Sequence, residues 1–123
     1  NESSWVLKPA ARILEAFRGA DVRVNLVLTC SAEEATQFLG PLADQFLVFC
    51  DPERTFVRGL GVQALPAFVF VRGDGSVQAA AEGWNPVEWR QVAKSIADNT
   101  SWIAPTIPGP GDPSPFHGTP ALG

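Results

Sequence analysis

The stretch LGVQALPAFVFVRGDGSVQAAAEGW, residues 60–84, decides how this chain is read. AFVFV is a near-continuous apolar run, the pattern of a strand covered on both faces. RGDGS supplies hairpin-turn residues, and turn chemistry accounts for Arg72-Gly73-Asp74 without an adhesion role. VQAAAEG is then the return strand. Directly after it, Asn85-Pro86-Val87-Glu88 reads as a helix start, with Asn as N-cap, Pro at the first position and Glu at the third. Trp89, Val92, Ala93 and Ile96 form the apolar stripe of that helix.

Working outward, the spacing of Ala10, Ile13, Leu14 and Phe17 predicts a half-buried helix over 9–18, opened by Pro9 and stopped by Gly19. DVRVNLVLTC follows as a strand rich in β-branched residues. Ser31 to Glu34 form a capping box, with Ala35, Phe38, Leu39 and Leu42 on one face of the helix behind it. Gly40-Pro41 should interrupt that helix. FLVFC reads as a short buried strand, and DPERTFVRGLG as a turn and a short helix ending at Gly59 or Gly61. Helices between strands, then a hairpin and a last helix, make an α/β layer fold.

From Ile103 the composition becomes Pro- and Gly-rich, and neither a helix nor a central strand can hold it. Residues 1–102 are therefore expected to form one domain and 103–123 an extended tail, lying along the domain or held by a partner. The chain of 123 residues is 46% hydrophobic and 18% charged, ordinary for a single globular domain. It contains no apolar window long enough to span a membrane. A net charge of −4 argues against a nucleic-acid partner. No signal segment opens it, so a cytoplasmic location is favoured, although no residue fixes the compartment. The absence of methionine implies that the natural chain starts upstream of Asn1 or is processed.

The stretch 60–84 resembles the thioredoxin superfamily. Asp51, Gly61, Pro66, the strand 67–71, the turn 72–75 and Gly83 stand at that family's places, and the likeness covers roughly residues 46–98. FCDPERTFVRGLGV is also similar to membrane-anchored bacterial thioredoxin-like proteins of cytochrome and amine-dehydrogenase maturation. The resemblance implies a central mixed sheet flanked by helices. It also implies a cis peptide before Pro66, with that edge facing a substrate groove. Leu65, Pro66 and Trp84 would make an apolar binding rim. Trp84 is equally placed to staple the last helix, as an apolar residue before an N-cap does.

Thiol–disulfide exchange in this family needs C-x-x-C at a helix N-terminus, which stabilises the thiolate. The chain has no such motif, and two registers remain open. In one, VNLVLTCSAEE is the old active-site strand and helix start, with SWVL as a rudimentary first strand. Asn25 then replaces a buried aspartate, Ser31 stands on the nucleophile's place with Cys30 beside it, and Glu33 or Glu34 at the resolving position. In the other, SSWVLKPAARILEAF is the active-site helix, with Trp5 on the family tryptophan and Val6 and Pro9 on the cysteines. This second register requires a central strand upstream of Asn1.

Cys30 and Cys50 end neighbouring predicted strands, about 4.8 Å apart if in register, within disulfide reach. A non-standard redox pair is one reading. Two small residues filling apolar space is the plainer one. His117 has no companion ligand nearby, so no metal is expected, and no cofactor is implied. The expected function is a redox-inactive, non-catalytic binding or accessory domain. Its partner would be another protein or a multi-subunit complex, contacted through the tail 104–123 and the Pro66/Trp84 rim. The alternatives are an atypical oxidoreductase using Cys30 with Cys50, and a purely structural domain.

Overall fold

The computed structural model describes residues 5–122; residues 1–4, with Ser3 and Ser4 among them, and Gly123 lie outside the described residues. The fold is mixed α/β, with helices α1 (Leu7–Ala16), α2 (Ala32–Leu39), α3 (Thr55–Leu60) and α4 (Pro86–Thr100). The strands are β1 (Asn25–Leu28), β2 (Leu47–Cys50), β3 (Ala64–Leu65), β4 (Ala67–Val71), β5 (Val77–Glu82) and β6 (Thr119–Pro120). They pair two by two: β1 with β2 in parallel, β3 with β6 and β4 with β5 antiparallel. The single central sheet expected from the resemblance is not formed among the described residues. No ladder joins β1 to β4, so each pair carries its own free edges.

Helix α1 begins at Leu7 rather than Pro9 and ends at Ala16 rather than Arg18. Proline is tolerated anywhere in a first turn, where its missing N–H has no helical partner. Burial of Val6, Ile13 and Phe17 sets the helix position. Trp5 and Val6 form a helical turn leading into α1, so the described part of SWVL, Trp5 to Leu7, is helical rather than a strand. The predicted capping box is present. Ser31 Oγ accepts from the Glu34 N–H at 3.2 Å, and Glu34 Oε1 accepts from the Ser31 N–H at 3.2 Å. Gly40–Asp44 is a 3₁₀ turn carrying Pro41, as the sequence implied.

Strand β4 divides two apolar clusters, because successive side chains point to opposite faces. Phe68 and Phe70 pack with Ile13, Phe17, Trp89, Val92 and Ile96. Ala67 and Val69 face Val57, Val62 and Ala121. The small residues Ala79 and Ala81 of β5 let α4 lie close on the hairpin. β2, expected to be buried, is not: Leu47 is 63% and Phe49 54% exposed. Leu47 and Phe49 lie on one face of the β1–β2 pair, which no element among the described residues buries.

The tail lies along the domain. Trp102 Nε1–H donates to Ala16 O at 2.7 Å, tying the end of α4 to the end of α1. Ile107 is buried in the main cluster, and Arg90 Nε–H donates to its carbonyl at 2.8 Å. Arg12 grips Asp112 with two hydrogen bonds of 2.7 and 2.9 Å. Gly109 N–H donates to the same carboxylate at 2.6 Å. Ala121 ends the path, fully buried in the second cluster.

Candidate functional site

The peptide Leu65–Pro66 is cis, as the resemblance implies, and sits between β3 and β4. Asp51 supports this region from the other end of α3, where its Oδ2 accepts from the Val57 N–H at 3.0 Å. Gly61 caps α3 at φ +76°, and the chain turns into β3. One side of that short segment is tied down by Glu82, whose Oε1 accepts from the N–H groups of Gln63 and Ala64 at 3.2 and 3.1 Å.

The other side pairs with the tail. Ala64 stands opposite Pro120 and Leu65 opposite Thr119. The Ala121 N–H donates to Gln63 O at 2.9 Å, and Arg54 Nη1 donates to Ala121 O at 2.6 Å. Further along, Trp84 and Phe116 exchange backbone hydrogen bonds of 2.8 and 3.0 Å. Gly83 and Gly118 stand where these two chains cross. A Cβ at Gly83, φ +69°, would lie 2.5 Å from His117 O, and one at Gly118, φ +85°, would overlap the Leu65 carbonyl.

Trp84 is therefore not an open rim. It is fully buried, its Nε1–H donates to Pro113 O at 2.8 Å, and its ring meets Trp89 at 5.0 Å in an edge contact. These residues precede and follow the Asn85 cap at the two positions of a hydrophobic staple. The sequence posed staple and rim as alternatives; the ring is the staple and also the floor beneath the tail. Leu65 and Pro66 remain half-buried.

The candidate positions fall into two groups. Trp5 is exposed and stands edge-on to Phe116, with ring centroids 5.6 Å apart and planes at 89°. It borders the tail beside Trp84, while Val6 and Pro9 point into the core. Cys30, Ser31 and Glu33 lie instead at the start of α2, where Ser31 serves as the cap. Asn25 is exposed, so it does not occupy a buried aspartate's place.

Cys30 and Cys50 are both free thiols. They are not opposite one another: Leu28 pairs with Cys50, and β1 ends before Cys30 because the chain turns into the Ser31 cap. Burial pushes the Cys30 thiol up, and Glu34 and Cys50 add to the effect. A nucleophilic thiol needs the opposite shift. His117 is exposed on the tail, and no cluster of metal-ligating side chains occurs among the described residues. No helix among the described residues is long and apolar enough to cross a membrane.

Phe116, Gly118, Ala121, Arg12 and Asp112 were not singled out from the sequence. The partners of the last two are a hundred residues apart, and no local pattern announces such a pairing. Comparison of the chain with protein-family models, curated proteins and solved structures returns no match.

Proposed function

We propose that this chain is a non-catalytic, thioredoxin-like protein-binding or accessory domain. It contacts a partner protein or multi-subunit complex along the Leu65–Pro66 edge and the adjoining tail, residues 104–123. The single observation that carries this reading is the backbone pairing of Ala64–Leu65 with an extended segment. An edge that accepts a strand in this way has the chemistry of β-strand addition, in which main-chain hydrogen bonds supply affinity and side-chain pockets supply selectivity. The order of elements after Asp51, and a β4 strand covered on both faces, support the thioredoxin-like part of the proposal.

Support for the non-catalytic part comes from the thiols. Cys30 is held toward its protonated form, and no second cysteine follows it at dithiol spacing. The test is reduction of a protein disulfide by dithiothreitol with and without the purified chain. No acceleration is expected. Acceleration abolished by Cys30→Ser would overturn the proposal in favour of an oxidoreductase using Cys30 with Cys50. In parallel, Leu65→Lys is expected to reduce co-purification of partner proteins, and undiminished recovery would remove the Leu65–Pro66 edge from the proposal.

A further inference from the structure

The tail meets β3 with position-specific requirements. At residue 116 an aromatic ring lies against Trp5 while its backbone exchanges both hydrogen bonds with Trp84. At 118 only glycine passes the Leu65 carbonyl. At 121 a small apolar side chain is fully buried against Val57 and Val62, and Arg54 caps its carbonyl. Pro120 needs no N–H on an outer strand.

The hold is nevertheless light. The β3–β6 ladder is two residues long, and His117, Thr119 and Pro120 are exposed. A groove of about 420 Å³ stays unfilled between the tail and the start of α4, bordered by Glu82, Glu88, Phe116 and His117. The link before it, Pro108-Gly109-Pro110-Gly111, belongs to no helix or strand.

We infer that the β3 edge with Trp84 is a docking site for an extended protein segment of the pattern aromatic-x-Gly-x-Pro-Ala, and that residues 116–121 are its tethered, displaceable occupant. This rests on the proposed protein-binding function and names the chemistry of the segment that binds. A tethered occupant is present at an effective concentration in the millimolar range, so it suppresses weaker competitors without any added contact.

The test uses the full chain and a fluorescent peptide of residues 112–122, DPSPFHGTPAL. Gly118→Val drives a β-branched side chain into the Leu65 carbonyl at a positive φ, lifting the tail strand off β3. Ala121→Trp does the same from the other anchor by forcing a large ring into a pocket that holds a single methyl group. Both leave Ile107 and the Trp84–Pro113 hydrogen bond in place. The peptide is expected to bind either variant about 100-fold more tightly than the unmodified chain. A peptide carrying the Gly118→Val change should not bind.

Equal peptide affinity for the unmodified chain and the variants would overturn the inference, as would no binding to either variant. Should both variants unfold, hydrogen exchange on the unmodified chain decides. Phe116 and Ala121 amides should exchange faster than those of Trp89–Ile96, and equal protection would overturn displaceability. A dimer of the unmodified chain that the peptide dissociates would also overturn it, since the occupant would then be a second copy. Partner retention without peptide binding defeats this inference but not the proposed function. Peptide binding with no protein partner does the reverse.

Discussion

Trp84 serves two neighbours from one position, stapling α4 through Trp89 and fixing the tail through Pro113. The first role was legible, because an apolar residue before an Asn N-cap is a local signal. The second was not, since Pro113 is 29 residues away. Asp112 makes the same point with charge. Burial raises its carboxyl, but the hydrogen bonds from Arg12 and the Gly109 N–H, with the Arg12 charge, outweigh this and hold it below its usual 3.8. A group depressed on folding stabilises the fold fully above its unfolded value and loses that contribution as pH falls through the folded one. Tail attachment should therefore be intact at neutral pH and weaken below about pH 4. Asp112→Asn is expected to cost about 1 kcal/mol at pH 7, below the usual range for a charged hydrogen bond because the Arg12 side chain is 38% exposed. It should also flatten the acid limb, as read from urea midpoints at pH 7 and pH 3.

Elements with a side-chain cap or a hairpin turn formed where the sequence placed them, whereas α1, marked only by Pro9 and Gly19, starts and ends two residues early. α2 and α4 carry their caps, and β4 and β5 meet through the turn in which the Ser76 N–H donates to Asp74 Oδ1 at 2.9 Å. Ser31→Ala should lower stability by about 1 kcal/mol, the usual cost of losing a side-chain N-cap, with m unchanged in denaturant titration. Elements defined by apolar content alone read less well. FLVFC has a core strand's composition, yet Leu47 and Phe49 face outward. Composition records which residues can be buried, while burial also needs a neighbour to cover them.

Across the whole molecule the tail belongs to the packed body. Ile107 and Ala121 complete the two clusters, and the tail crosses Trp84 and hydrogen-bonds both its backbone and its ring N–H. A chain ending at residue 102 should lose about 4 kcal/mol through exposure of Ile107's and Ala121's partners and one face of Trp84. It should also show red-shifted tryptophan emission. An unchanged thermal midpoint would contradict this packing.

By itself the sequence determined what depends on neighbours in the chain: the helix faces and caps, the hairpin, the α/β order and the missing dithiol. Tertiary structure alone decided which strands pair, that β1–β2 stands apart from β4–β5, and where the tail goes. Caps and periodicity act over a few residues, so the chain states them locally. Pairing of Leu65 with Thr119, or Arg12 with Asp112, depends on surfaces that exist only once distant segments have met, and on a glycine at each side of one backbone crossing.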